Sequence, residues 1–221
     1  MDPQKLLEGI MAEPDPNSDT VGFLANRLLD EYHKGFPLEN LVPLLRSENE
    51  RLLDTGIFIA SELGEKGKPL LNDVSALLKH PAKKVRYLAI ECVLLWAGPT
   101  NKLELASAVA LLDDAEAAVR RNAMRFLTAA SREQLEAALS HLEVTEPKSP
   151  HARGLQWLLS SDASNAKEVM ITLQSRDSIM RKYGAAAAAR MAKSNREPLL
   201  YASSVEDSDV KDFADSTIRL L

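Results

Sequence analysis

The chain has 221 residues, of which 45% are hydrophobic but only 5% aromatic, and its formal net charge is −5 at neutral pH. An apolar content drawn mainly from Leu, Ala and Val favours helices over strands, and the length allows one large domain or two small ones. The acidic balance argues against a broad surface that binds a polyanion such as nucleic acid.

Cysteine content and apolar runs predict a cytoplasmic protein without a membrane segment. The single cysteine, Cys92, excludes a framework of internal disulfides and is typical of a reducing compartment. The first residues, MDPQKLLEGIMAEPD, lack the basic and then apolar pattern of a secretory signal. No uncharged apolar run approaches the roughly 20 residues that a membrane span needs.

The first 36 residues differ from the rest of the chain. Their pattern predicts a short helix over Lys5–Met11, a break at Asp15–Asp19 that is rich in N-cap residues, and an amphipathic helix over Val21–His33. The terminal units of a repeat array must cover an otherwise exposed apolar end. We therefore interpret residues 1–36 as an N-terminal helical cap on the repeats that follow.

One pattern then recurs six times between residues 37 and 221. Each copy has an apolar first helix, a polar break and an apolar marker residue that opens a second helix. The markers are spaced by 28 to 34 residues and are Leu52, Val85, Val119, Ala152, Met180 and Val210. The first helices are expected over Leu41–Leu45, Val74–Leu78, Leu105–Leu112, Leu135–Leu142, Val169–Leu173 and Leu199–Val205.

A small residue stands four positions after the marker in five of the six copies, and Gln156 takes that place in the fourth. The small residues are Gly56, Ala89, Ala123, Gly184 and Ala214. Because a missing side chain lets a neighbouring helix approach closely, the pattern predicts the same helix contact in successive pairs.

Two copies carry a resemblance to known repeats. Leu111-Leu112-Asp113-Asp114 followed by Val119-Arg120, and Leu77-Leu78-Lys79-His80-Pro81 followed by Val85-Arg86, resemble the unit of HEAT and HEAT-like repeat proteins. The resemblance covers about residues 37–221 and implies one all-α domain, a right-handed α-solenoid of about six HEAT-like helix pairs behind the cap. The short HEAT-like class fits better than long HEAT units of roughly 40 residues, and the tetratricopeptide pattern does not fit.

The resemblance also implies ion pairs between neighbouring repeats. The basic position after the marker holds Arg86, Arg120, Arg153, Arg181 and Lys211, and the candidate acidic partners are Asp113, Asp114, Asp177 and Asp207. Leu53 occupies this position in the first repeat and the break of the second repeat has no acid, so the ladder is incomplete. Arg120 is either such a structural group or an exposed anion-binding group, and we favour the structural role.

If the second helices line a concave face, as the resemblance implies, residues two and six positions after the marker point into it. Those candidate partner-binding residues are Asp54, Tyr87, Glu91, Arg121, Arg125, Lys182 and Asp212. Acids flank a basic centre, which suits a protein partner better than nucleic acid. The alternative is that they are ordinary solvated helix residues.

The end of the chain and the reactive side chains add little chemistry. Phe213, Thr217, Ile218, Leu220 and Leu221 give the chain a largely apolar end, which either packs on the fifth repeat or contacts a second chain and allows self-association. Cys92 lies on an apolar helix face, the four histidines are scattered, and no nucleotide-binding or hydrolase motif occurs, so no metal, cofactor or catalytic residue is expected.

These observations favour a non-enzymatic protein-binding module that acts as an adaptor or an inhibitor, such as an immunity protein that neutralises a toxin. Two alternatives come from HEAT-like relatives. A DNA glycosylase would need a basic surface and an aromatic cleft, for which only Trp96 and Trp157 are candidate tryptophans. A pigment-lyase subunit would handle a bilin.

Overall fold

The computed structural model describes residues 2–13 and 19–221, and within these ranges it contains fourteen α-helices and no strand. None of these helices combines the length and the apolar character that crossing a bilayer requires. The chain divides into two compact units, Met1–Trp96 (unit 1) and Ala97–Leu221 (unit 2). This boundary lies between the second and third repeats, whereas the sequence pattern places a boundary after residue 36.

Unit 1 contains six α-helices within its described residues. They are α1 (Pro3–Ala12), α2 (Asp19–His33), α3 (Val42–Leu45), α4 (Glu50–Glu62), α5 (Leu71–Ala76) and α6 (Lys83–Trp96), with 3-10 turns over Leu38–Leu41, Gly64–Leu70 and Leu77–Lys79. The break predicted at Asp15–Asp19 lies outside the described residues except for Asp19, where α2 begins. Helix α4 packs against α2 on one side and α6 on the other, so these three second-position helices follow chain order.

The two N-terminal helices pack on each other and cover the first repeat. Leu6, Ile10 and Leu28 are at most 1% exposed between α1 and α2. The Nη1 group of Arg51 in α4 donates a hydrogen bond to the carbonyl oxygen of Ile10 at 2.7 Å. We infer from this packing that α1 and α2 act as an N-terminal cap.

Unit 2 contains eight α-helices. They are α7 (Lys102–Ala110), α8 (Ala117–Ala129), α9 (Arg132–Thr145), α10 (Pro150–Leu159), α11 (Ala166–Leu173), α12 (Ser178–Met191), α13 (Glu197–Ala202) and α14 (Ser208–Ile218), with 3-10 turns over Leu111–Asp113 and Asp162–Ser164. Every first and second helix that the repeat pattern predicts therefore has a counterpart in the structure.

The recurring small residue lets a second helix approach the first helix of its own repeat. A Cβ atom at Gly56 would lie 2.8 Å from the Cβ of Leu44 in α3. A Cβ atom at Gly184 would lie 3.2 Å from the backbone nitrogen of Leu173 in α11. The first distance is too short for a Cβ atom and the second is tighter than most Cβ contacts, which explains why glycine suits this position.

The fourth repeat makes its close contact at a different position. Gln156 is exposed, and the missing Cβ of Gly154 leaves room for the ring of Tyr183 in α12, which would lie 2.1 Å away. Tyr183 is fully buried there. The second helix of the fourth repeat, α10, thus packs on α12 through an aromatic side chain instead of a small-residue contact.

Helix α12 lies at the centre of unit 2 and packs on α8, α10, α11, α13 and α14. Its residues Ala185, Ala186, Ala187 and Ala188 are at most 1% exposed. Because alanine adds little bulk on any side of a helix, neighbours can approach α12 from several directions. The alanine run therefore explains the central place of this helix.

The packing order in unit 2 departs from a simple succession of repeats. Among the second helices, α8 packs mainly on α12 and α14, whereas α10 packs on α12. Stacking in chain order would bring α8 against α10. As a result, the second helices of the third, fifth and sixth repeats meet directly.

Candidate functional site

The arginines that follow the marker residues fasten the turn that precedes their own helix. In each case Nη1 donates to a carbonyl oxygen five or six residues earlier. Arg86 bonds to His80 and Pro81 (both 2.7 Å), Arg120 to Asp114 (2.7 Å) and Ala115 (2.8 Å), Arg153 to Lys148 (3.1 Å), and Arg181 to Ser175 (2.8 Å) and Arg176 (3.3 Å). The repeated bond shows that the position has a structural use in these four repeats.

Two aspartates form ion pairs with these arginines and so connect neighbouring repeats. Asp177 caps the N-terminus of α12 and pairs with Arg153 of the preceding repeat at 3.3 Å. Asp207 caps α14 and pairs with Arg181 of the preceding repeat at 2.7 Å. Each carboxylate therefore stabilises a helix start and links two repeats.

Arg120 reaches a repeat much further along the chain. Its Nε lies 2.5 Å from Oδ2 of Asp209, its Nη2 lies 3.1 Å from Oδ1, and the two residues are 89 positions apart. Asp209 is only 7% exposed, and its bidentate hydrogen bonds raise the pKa of Arg120. Of the acids that the repeat pattern offers to this basic position, Asp114 accepts a hydrogen bond from Arg120 through its carbonyl oxygen at 2.7 Å, and its charge also favours the guanidinium. Asp113 and Lys211 form no ion pair among the described residues.

Three of the predicted partner-binding residues in unit 2 lie where α8, α12 and α14 meet. Arg121 Nη1 is 3.2 Å from Asp212 Oδ2 and 3.8 Å from Asp209 Oδ1. Lys182 is only 4% exposed, and burial lowers its pKa. Lys182 therefore does not fit the expected place on an accessible face, because α8 and α14 both pack on its helix. Arg125, further along α8, is exposed.

The other predicted partner-binding residues lie in unit 1. Tyr87 is half-buried and Glu91 exposed, both on α6. Asp54 on α4 forms an ion pair with Lys84 at the start of α6, with its Oδ2 at 3.0 Å from the Nζ. Both of these last side chains are well exposed, at 40% for Asp54 and 59% for Lys84.

Asp54 and Lys84 border a groove of about 840 Å³ in unit 1, between the first halves of α2 and α4 and the first turn of α6. We call it the α2–α4–α6 groove. Val21, Ala25 and Phe58 supply its apolar part. Apolar surface beside a few polar groups is the composition expected of a site that holds a ligand or a segment of a partner.

The charged side chains of the groove have both signs. Glu50 and Asp54 contribute carboxylates, and Arg51, Lys83 and Lys84 contribute cations. An exposed ion pair such as Lys84–Asp54 contributes little to the stability of the fold. Either residue can therefore pair with a charge on another molecule at a small cost in stability.

Sequence reasoning found Asp54 but missed most of the groove. Phe58 lies six residues after the marker Leu52, the same offset that selected Glu91 and Arg125, so the repeat register could have identified it. Val21 of α2 was missed because residues 1–36 were interpreted only as a cap, and no repeat position marks it.

The reactive side chains considered in the sequence lie apart from the groove within residues 2–13 and 19–221. No three His, Cys, Asp or Glu side chains there are close enough together to hold a metal ion. Cys92 is 2% exposed, and burial raises the pKa of its thiol. Trp96 is 1% exposed and its indole Nε1 donates to the carbonyl oxygen of Gly64 at 2.7 Å, while Trp157 is half-buried on α10.

Comparison with known proteins adds evidence on the fold. No family model and no curated protein matches the chain. An engineered protein of solved structure is 16% identical, with 99% of this chain and 96% of its own covered and a TM-score of 0.53. A designed armadillo repeat protein in complex with the peptide (KR)4 is 13% identical, with 99% of both chains covered and a TM-score of 0.52. The chain is a helical repeat solenoid.

A second designed armadillo repeat protein, 16% identical with 98% of both chains covered, has a TM-score of 0.50 to this solenoid. At such identities the similarity shows the fold alone. The prediction of an all-α helical repeat fold is confirmed. The structural matches include armadillo repeats, and the HEAT-like character rests on the residues of the repeat pattern.

Proposed function

We propose that this solenoid is a non-enzymatic protein-binding module and that the α2–α4–α6 groove receives its partner. The observation that carries the proposal is the groove itself, about 840 Å³ with an apolar part and charges of both signs. Its volume is within the range of sites that hold a ligand or a short segment of a partner. In unit 2 the four positions that correspond to Asp54 hold Arg121 and Asp212, which form an ion pair, and Gly154 and Lys182, which are buried.

The fold supports a peptide segment as the bound part of the partner. A designed armadillo repeat protein with this fold binds the peptide (KR)4. Repeat proteins use the surface of successive helices for extended contacts, and α2, α4 and α6 follow one another in chain order in unit 1.

The charges of the groove indicate the kind of segment. With Glu50 and Asp54 beside Arg51, Lys83 and Lys84, a segment that has both acidic and basic residues is more complementary than an all-basic peptide. An immunity protein that neutralises a basic toxin would be expected to present an acidic contact surface. The net charge of −5 allows that role, but the groove does not favour it, so we place an adaptor before an inhibitor.

A display library of random peptides, selected against the purified protein, tests the proposal. Enriched peptides should combine an apolar anchor with charges of both signs. The variant Lys84→Glu leaves two carboxylates facing each other across the groove, and we expect it to weaken the enriched peptides about tenfold. The double variant Asp54→Lys/Lys84→Glu restores an ion pair with reversed polarity, so it should keep stability but select different peptides.

The matched surface control is Val144→Ser in unit 2, at a side chain that is 83% exposed and outside the groove. It should bind every enriched peptide as the unmodified protein does. Enriched peptides that bind all of these variants equally, or a selection that yields no enrichment, would remove the groove as the binding site.

A further inference from the structure

A second cavity, in unit 2, has an unusual lining. It has a volume of about 370 Å³ and lies at the C-terminal ends of α10 and α12, beside the first turn of α9. Its polar groups are the guanidinium groups of Arg132 and Arg190 and the hydroxyls of Ser160, Ser164 and Ser194. No carboxylate belongs to this lining in the described part of the chain, and of its two arginines Arg132 pairs with Glu136 outside the lining whereas Arg190 pairs with no carboxylate.

Arg190 is fixed in place by the end of a neighbouring helix. Its Nε donates to the carbonyl oxygen of Leu127 at 2.9 Å, and its Nη2 donates to that of Ala130 at the end of α8. A guanidinium has five N–H donors, and the remaining ones of Arg190 have no hydrogen bond among the described residues. Partial burial lowers the pKa of Arg190, and no carboxylate offsets this effect.

Four other arginines of α8, α10 and α12 show how Arg190 differs. Arg120, Arg121, Arg153 and Arg181 each pair with an aspartate, at N–O distances of 2.5 to 3.3 Å. Arg190 shares α12 with Arg181 but faces carbonyl oxygens and a polar cavity. A held guanidinium without a counter-ion is the group that proteins commonly use to bind an oxyanion.

Further donors line the same cavity. Arg132, in the first turn of α9, bonds Glu136 through Nε at 2.8 Å and approaches the carbonyl oxygen of Leu159 through Nη1 at 3.4 Å, which leaves its Nη2 group unused. The hydroxyl of Ser164 forms no hydrogen bond among the described residues. Donors from α9, α12 and the turn before α11 are thus available on one cavity.

We propose that this cavity binds a small molecule through an oxyanion group, a phosphate or a carboxylate, held by Arg190 and Arg132 with Ser164. Leu158, Ala187 and Met191 line the rest of the cavity and leave room for the organic part of the ligand. A volume of about 370 Å³ lies at the lower end of the range for small-molecule sites. The site does not depend on the protein-binding function proposed for unit 1.

Titration of the full chain with inorganic phosphate at constant ionic strength tests the site, by calorimetry and by the melting temperature. We expect saturable binding and a rising melting temperature, because a ligand of the folded state stabilises it. Arg190→Gln should raise the Kd about tenfold or more. Since Arg190 also caps α8, that variant will melt lower, and its phosphate-dependent shift is compared with its own baseline.

Arg132→Gln and Ser164→Ala change exposed side chains, so they should fold normally and still weaken binding. Arg176→Gln, an exposed arginine outside the cavity, should leave the Kd unchanged. A parallel titration with acetate identifies the head group. Saturation by phosphate alone indicates a phosphate site, saturation by acetate as well indicates a site that also takes a carboxylate, and either result supports the proposal. No saturation by about 10 mM of either anion, or equal weakening by Arg176→Gln, would show ionic screening only and overturn the proposal.

Discussion

Units 1 and 2 are built from the same repeat, but their second helices meet in different ways. In unit 1, α4 packs between α2 and α6, and their first halves border a groove. In unit 2, α8 packs directly on α12 and α14, and the cavity of about 370 Å³ lies elsewhere, at the C-terminal ends of α10 and α12. The side chains five to eight residues after the marker differ in size between the two units. In α4 they are Ile57 to Ala60, which include Phe58, whereas in α12 they are all alanine, Ala185 to Ala188. We infer that the volume of these side chains decides whether neighbouring second helices pack directly on each other or leave a groove between them.

Charge follows the same division. Lys84 and Asp54 in unit 1 form a pair that is open to solvent, whereas Arg120 and Asp209 in unit 2 form a bidentate pair that is largely removed from it. The first pair borders an open groove, and the second links two helices that are far apart in sequence. One repeat pattern therefore produces an open groove in one unit and a closed helix contact in the other.

The largest expected effect on stability comes from placing in α12 the large side chain that α4 has at the same repeat position. Ala186 occupies the position in α12 that Phe58 occupies in α4, and it is fully buried. The variant Ala186→Phe should lower the free energy of unfolding by about 3 kcal/mol, because Ala186 is fully buried and the helices packed on α12 leave no space for the ring. Urea denaturation followed by circular dichroism measures this, and Ala118→Phe, at an exposed alanine of α8, should change stability by no more than about 0.5 kcal/mol.

A loss similar to that of the control would show that α12 is not closely packed at this position. The explanation of unit 2 by side-chain volume would then fail.

The next effect concerns the buried and exposed ion pairs. Asp209→Asn should lower the free energy of unfolding by about 2 kcal/mol, because the guanidinium of Arg120 loses its charged partner in a largely buried place. Asp54→Asn should cost no more than about 0.5 kcal/mol, since its pair with Lys84 is exposed. Equal losses in urea denaturation would contradict the distinction between a structural and an exchangeable pair.

The sequence predicted local structure better than packing between distant helices. The helix pairs could be predicted because marker and small residues recur at near-constant spacing. The pair of Arg120 with Asp209 could not, because the repeat pattern relates neighbouring repeats only and these residues are 89 positions apart. For the same reason, Lys182 looked accessible on its own helix and is buried by helices from other repeats.

The groove was predictable in part. Asp54 followed from the repeat register, and Phe58 would have followed from the same register. The contribution of Val21 depends on how α2 packs on α4, which local sequence does not encode.

A smaller effect separates the buried tyrosines of the two units. The hydroxyl of Tyr32 in unit 1 is buried without a hydrogen bond, whereas that of Tyr183 in unit 2 donates to the carbonyl oxygen of His151 at 3.2 Å. Tyr183→Phe should cost about 1 kcal/mol of stability, because it leaves that carbonyl oxygen unsatisfied. Tyr32→Phe should be neutral or slightly stabilising, because it removes an unpaired polar group. Thermal unfolding of the two variants checks the predicted difference in sign.

The smallest effect on the free energy of unfolding concerns His151 in unit 2 and develops only below neutral pH. Its Nδ1 is buried without a hydrogen bond, and burial lowers its pKa from the ordinary value of 6.5. Asp113, Glu146 and Asp177 favour the charged ring and Lys182 opposes it, but desolvation outweighs the carboxylates. Because the folded-state pKa is depressed, the unfolded chain binds the proton more readily. The stability contributed by neutral His151 is therefore complete above pH 6.5 and is lost as the pH falls below that value toward the folded-state pKa.

The variant His151→Asn, which cannot titrate, should reduce the fall in the free energy of unfolding between about pH 7 and about pH 5. His141→Asn, at another histidine of unit 2, is the matched substitution and should leave most of that fall in place. If the two variants reduce it equally, the burial of His151 is not its source. In that case the fall would reflect titration elsewhere in the chain, and the contact of α10 with α12 beside Tyr183 would have no part in the acid sensitivity of unit 2.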